Sequence, residues 1–151
     1  MHTTHSAFVS APPEAVFSLA ADVEAWPRLL QAYRWCRILE RTPDRLVFEM
    51  GGVIRGWPAR WTAAQERDPA TNRLVFSHLQ GLTRGMRVEW RLQRQPRGTT
   101  VTLIHDLVMP WPLVGRLVSD VIVGPIFIDW IARQTLQAVK QAAESAQRGA
   151  R

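Results

Sequence analysis

The stretch RGWPARWTA, residues 55–63, places Trp57, Ala59, Trp61 and Ala63 on alternate positions, with Pro58, Arg60 and Thr62 between them. In a strand successive side chains point to opposite faces, so both indoles share one face with small alanines between them. Packed cores are built mainly from aliphatic chains that interdigitate at high density. Two indoles separated by alanine make instead a shallow groove that suits a flat or polyene-like ligand, and this row reads as a cavity wall. The competing reading is that Ala59 is small because a side chain of the C-terminal helix, such as Trp130, fills the space above it.

Outward from this row, the chain from Tyr33 to Met109 alternates strand-like runs with turn signals: TPD at 42–44, GG at 51–52, DPATN at 68–72, QGLTRG at 80–85 and QPRG at 95–98. Six runs fit between them, near 33–41, 45–50, 53–67, 73–79, 86–94 and 99–109, and short turns imply an antiparallel meander. Gly51 and Gly52 read either as a turn or as a bulge that bends the sheet. Residues 2–10 make a first strand. The following SAPPEAVFSLAADVEAW reads as a short helix, with Ser10 as its cap and prolines in its first turn. Pro27 interrupts it and starts a second short helix. Near the C-terminus, LVGRLVSD is a short apolar segment, and IFIDWIARQTLQAVKQAAESAQR is an amphipathic helix burying Ile128, Ile131, Leu136, Val139 and Ala143. The expected fold class is α+β: a curved antiparallel sheet of about seven strands wrapped around a long C-terminal helix, with two short helices after the first strand. At 151 residues the chain is expected to form one domain, 1–151.

Bulk composition narrows the function classes. The net charge is +6, with nineteen basic residues of which Lys140 is the one lysine, but the arginines are scattered along strands and turns. That is a solvated outer face and not a nucleic-acid surface, so no nucleic-acid partner is expected. Cys36 stands alone, which excludes an intramolecular disulfide and a cluster of thiolate ligands. MHTTHSAFVS has no basic segment leading an apolar run, and the apolar region 107–131 is broken by prolines and charges, so neither a signal peptide nor a membrane span is read. A cytoplasmic protein with at most peripheral membrane contact is expected, as a monomer or homodimer. Seven tryptophans against one tyrosine are more than a core of this size needs, so some are expected to line a site.

The order of APPEAVFSLAADVEAWPRLL, RGWPARWTAAQERDP, GMRVEWRL and GTTVTLIHDL resembles the polyketide cyclase/dehydrase branch of the START and Bet v 1-like superfamily, over almost the full length. The resemblance implies a helix-grip fold with a hydrophobic tunnel between sheet and helix. It also implies two functions from different classes. One is an enzyme that cyclises or dehydrates a poly-keto chain, delivered by an acyl carrier protein. The other is a carrier of a lipid, quinone or isoprenoid-like molecule, with 107–128 as a lid; a ribosome-binding toxin branch is a distant third. The cyclases carry an inward arginine on the GWPARW strand. Here that position is Trp61, and Arg60 points outward unless a one-residue bulge swaps the faces.

Alternation supplies the interior. Met86, Val88, Trp90 and Leu92 share one face, as do Val101, Leu103, His105, Leu107 and Met109. His78 shares a face with Leu74 and Phe76, and Tyr33 with Trp35, Arg37 and Leu39. The expected substrate-binding residues are Trp35, Trp57, Ala59, Trp61, Phe76, Met86, Trp90 and Leu103. Intramolecular aldol closure needs a methylene deprotonated, an enolate stabilised and a hydroxyl protonated to leave, so His105, His78 and Tyr33 are the candidate catalytic groups. The alternatives are a buried neutral His105, a rim position for His78, and Tyr33 as a cap between helix and sheet. Trp26 reads as a staple of the helix pair, and His2 and His5 are given no role. No cofactor and no metal are expected.

Overall fold

The computed structural model describes residues 1–107 and 124–150. Seven strands form one antiparallel sheet: β1 (His2–Val9), β2 (Tyr33–Arg41), β3 (Arg45–Ile54), β4 (Trp57–Asp68), β5 (Arg73–Gln80), β6 (Arg87–Gln95) and β7 (Gly98–Asp106). Their spatial order is β1-β7-β6-β5-β4-β3-β2, so every neighbour is a sequential hairpin except β1, which pairs with β7. Between β1 and β2 lie α1 (Pro13–Ala21), a 3₁₀ turn (Val23–Ala25) and α2 (Trp26–Leu29). The long helix α3 (Asp129–Gly149) follows a π-helical turn at 124–128 and packs against β1 and α1. Its buried stripe is Ile131, Ala132, Thr135, Leu136, Val139 and Ala143, with Ile128 just before it. The segment LVGRLVSD, Met109 and most of the expected lid lie outside the described residues.

Two local readings change. The cap of α1 is Pro12, and Pro13 opens the helix; the Ser10 amide instead donates to the Glu144 carboxylate at 2.9 Å, tying the β1 exit to α3. Nor does Gly51-Gly52 end a strand: both pair within β3, opposite Arg60 and Ala59. The turn is one step further on, at Arg55 (φ 51°) and Gly56 (φ 84°), two consecutive left-handed residues joining Ile54 to its partner Trp57. That is the backbone demanded by a tight two-residue hairpin. Gly51 and Gly52 are glycine for a different reason. A Cβ on Gly51 would sit 2.2 Å from the Trp35 indole, and one on Gly52 would sit 2.1 Å from the Ala32 carbonyl oxygen.

Bulges decide which faces meet the interior. Tyr33 pairs with Gly52 but Trp35 with Gly51, so Arg34 is an extra residue and the strand changes face there. Tyr33 is buried, whereas Trp35 is 40% exposed and lies over Gly51 on the outer face. In β5, His78 pairs with Ala63 and Gln80 with Thr62, which leaves Leu79 as the extra residue. The β3–β4 register runs unbroken from Arg45↔Glu66 to Ile54↔Trp57. The bulge that would have turned Arg60 inward is therefore not there. Its guanidinium lies on the outer face, 3.9 Å from Glu49.

Candidate active site

The concave side of the sheet, closed by α2 and α3, encloses a cavity of about 310 Å³. Trp57, Ala59 and Trp61 of β4 form one wall, as their alternation requires. Trp57 stands at the mouth, 67% exposed, and Trp61 is partly buried further in. Trp130 is not among the lining residues but packs at the margin of the core, so the space above Ala59 is left to the cavity. Phe76 of β5, Met86 just before β6, Trp90 within β6 and Leu103 of β7 add apolar surface. Ile128, Ile131, Ala132 and Thr135 supply the helix side.

The inner end is aromatic. The Trp26 ring lies 5.3 Å from Tyr33, 5.6 Å from Phe76 and 6.2 Å from Trp90, all tilted. Its indole N–H donates to the Leu19 carbonyl at 3.3 Å. Trp26 thus staples α2 to α1 and also forms part of the cavity lining. Tyr33 meets Trp61 edge-on at 6.0 Å, and Trp61 stacks on His78 at 6.0 Å with 8° between planes.

Three proton-bearing groups open onto this surface. The Tyr33 hydroxyl and Thr135 Oγ1 share a hydrogen bond of 2.7 Å; burial pushes the phenol up to about 12, only partly opposed by that bond. Tyr33 is therefore a phenol at any physiological pH. His78 Nδ1 lies 2.7 Å from Thr83 Oγ1, and burial holds its imidazole down at about 4. His105, on β7, is 5% exposed and is held down to about 3, first by burial and then by the charges of His5 and His78. Its Nδ1 is buried without a hydrogen-bond partner among the described residues. Both rings are neutral at pH 7, each able to donate one N–H and accept at the other nitrogen.

The structure brings together Tyr33, His78 and His105 with Trp57, Ala59, Trp61, Phe76, Met86, Trp90 and Leu103. Trp35 is the exception: the Arg34 bulge sends it to the opposite face of the sheet, away from the cavity. Sequence reasoning missed Thr135, Ile131 and Ala132. Helical spacing put Ile131 in the buried stripe but gave no sign that the stripe faces a cavity. It also passed over His5, whose side chain turns inward and whose Nε2 lies 3.3 Å from Asp129 Oδ1. Strand alternation from Val9 backward would have placed it on the inner face. Among the described residues no three His, Cys, Asp or Glu side chains are grouped to hold a metal ion, and no helix is long and apolar enough to cross a membrane.

Comparison with known proteins agrees with this architecture. The solved structure of TTHA0849 from Thermus thermophilus superposes with a TM-score of 0.83 at 22% identity, covering 97% of this chain and 99% of that one. The Zhui aromatase/cyclase from Streptomyces sp. R1128 gives 0.80 at 24% identity, covering 99% and 97%. In sequence, the chain is 31% identical over 106 residues to the actinorhodin polyketide synthase bifunctional cyclase/dehydratase of Streptomyces coelicolor, covering 68% of this chain and 33% of that relative. The fold is the START/Bet v 1-like helix grip. Residues 9–140 match the family described as polyketide cyclase / dehydrase and lipid transport, and the chain belongs to that family.

Proposed function

We propose that the protein cyclises or dehydrates a poly-β-keto chain held in this cavity. The observation that carries the reading is the placement of Tyr33, His78 and His105, three neutral proton-bearing groups, on the wall of a largely apolar, aromatic cavity. Trp57, Ala59, Trp61, Phe76, Met86, Trp90 and Leu103 bind the chain and impose one fold on it. Holding two reacting carbons in one molecule in register removes most of the entropic part of the barrier. A neutral imidazole then accepts the methylene proton, and N–H or phenol donors stabilise the enolate oxygen as it forms. After ring closure a donor protonates the hydroxyl that departs as water. Arg60 borders the cavity, but its guanidinium lies toward Glu49 on the outer side of β4, so carbonyl polarisation falls to Tyr33 and the two histidines. The substrate arrives on an acyl carrier protein, whose acidic surface the +6 charge of this chain would favour.

A second reading has its own support. Trp57 and Leu82 line the cavity and are each 67% exposed, which gives it an apolar rim suited to passing a lipid or quinone. One experiment separates the two. Purified protein is incubated with a poly-β-keto thioester mimic, and cyclised product is followed by liquid chromatography and mass spectrometry. Acceleration over buffer, lost in His105→Gln and His78→Gln, is the expected result. Tight binding with product formation at the buffer rate favours the carrier.

A further inference from the structure

Behind His105 lies a polar group that the cavity itself does not contain. Thr3 sits directly opposite His105 across the β1–β7 pair, and His5 opposite Leu103, so all three polar side chains occupy one face of two neighbouring strands. Directly opposed residues have Cβ atoms about 5 Å apart and diagonal ones about 7–8 Å. Among the described residues, three buried side-chain atoms are without a hydrogen-bond partner: Thr3 Oγ1, His5 Nδ1 and His105 Nδ1. Buried polar atoms are rarely left unpaired, and three on one patch are a functional signal. His5 is 12% exposed and its other nitrogen lies 3.3 Å from Asp129, whose carboxylate is 32% exposed at the start of α3. Of these residues only His105 lines the cavity. The order from interior to surface is therefore cavity, His105, His5, Asp129.

We propose that His5 and Asp129 are a proton relay for His105, connecting the cavity to the exterior. The inference rests on the proton-transfer reading of the cavity. A methylene between two carbonyls gives its proton to one nitrogen of His105, and the C–H electron pair becomes the enolate. The proton on Nδ1 of that imidazolium passes to Nδ1 of His5 when the two rings, which are not hydrogen-bonded at rest, swing together, with Thr3 Oγ1 beside them on the same face of the β1–β7 pair. The His5 imidazolium is then held at Nε2 by the Asp129 carboxylate. Reversal returns the proton for the departing hydroxyl, so no net charge is made. His105 is poorly placed to hold a positive charge, because burial and the neighbouring His5 and His78 oppose it. It can pass a proton on but not store it, and a second histidine beside a carboxylate supplies the store. The other titratable group near His105 is Asp106, which follows it in β7 and pairs with His2 on the outer face. The Met1 amino group is bonded to the Leu107 carbonyl at 2.8 Å. His5 and Asp129 are positioning residues, since neither touches the cavity.

The test uses a 1,3-diketone with an alkyl tail, whose central methylene exchanges hydrogen for deuterium in D₂O on enolisation, followed by NMR. Wild-type protein should accelerate exchange. His5→Gln and Asp129→Asn should lower the saturated rate about tenfold or more, with probe affinity unchanged. Added imidazole should restore part of the His5→Gln rate, and His2→Gln should match wild type. Asp129→Asn, at a part-exposed site, keeps the test valid if His5→Gln fails to fold. Wild type that exchanges the probe while both folded variants do so equally well overturns the relay alone. Wild type that binds the probe and leaves exchange at the solvent rate overturns the proton-transfer reading, and the relay with it.

Discussion

His78 and His105 are neutral because the fold closes apolar surface around them, and that has a cost in acid. Their folded values, about 4 and about 3, lie below the ordinary 6.5, so the unfolded chain takes up protons that the folded chain refuses. The stability they permit is complete above about pH 6.5 and falls as the pH drops from there, through about 4 for His78 and about 3 for His105. Melting temperature should decline between pH 7.5 and 5, and His105→Gln should make that decline shallower. Glu89 acts at lower pH. Its carboxylate accepts from Arg73 at 2.7 Å, Arg91 at 2.5 Å and Arg87 at 2.8 Å, and these bonds hold it at about 2 against the opposing effect of burial. Its contribution is present above the usual 4.5 and disappears as the pH falls from there through 2. Glu89→Gln should therefore lower the melting temperature at pH 7 and lower it by less at about pH 3. Tyr33→Phe removes the bond to Thr135 and leaves that hydroxyl buried and unpaired, a loss of about 1–3 kcal/mol measurable by denaturant unfolding.

Elements show where reading the sequence succeeds and where it cannot. Trp57, Ala59, Trp61 and Ala63 keep their alternation because β3 and β4 pair without interruption, so period two carried the wall correctly. The same period misplaced Trp35, since one extra residue at Arg34 reverses the strand and nothing local in YRWCR marks it. The signal was across the sheet, in the glycine pair that makes room for Trp35 and the Ala32 carbonyl. Gly52→Ala tests this. Its Cβ meets backbone that cannot rotate away, and a destabilisation of about 1–3 kcal/mol, read from unfolding midpoints, is expected. Ala59→Leu tests the wall itself. Filling cavity space should displace a bound hydrophobic fluorophore while costing little stability, whereas a packed position would lose about 1–3 kcal/mol. Histidine roles were less legible than the fold. The pairing of His5 with Asp129 joins residues 124 positions apart in the chain, and only the packing of α3 on β1 reveals it.

At the scale of the whole molecule, the order of elements was legible because each hairpin joins neighbours in sequence and each turn carries its own residue signal. One pairing breaks that rule, and it governs how the chain acquires its shape. Hairpins β2–β3 through β6–β7 close over short loops, but β1 joins the sheet only through β7, with His2 opposite Asp106 and Val9 opposite Thr99. Bringing such distant segments together carries a larger loop-closure cost, and contacts of high sequence separation slow folding. During synthesis β1 emerges before the rest of the sheet and must wait, unpaired, until nearly a hundred further residues have followed it, as the Val9–Thr99 partnership requires. Until then its inner-face Thr3 and His5 have no β7 beside them. Strand β1 should thus be the last to become protected in refolding, behind the β3–β4 hairpin, in a pulsed hydrogen-exchange experiment. A nascent chain paused before residue 98 would hold a nearly complete meander whose β6 edge stands open, and would be the form most exposed to pairing with another chain.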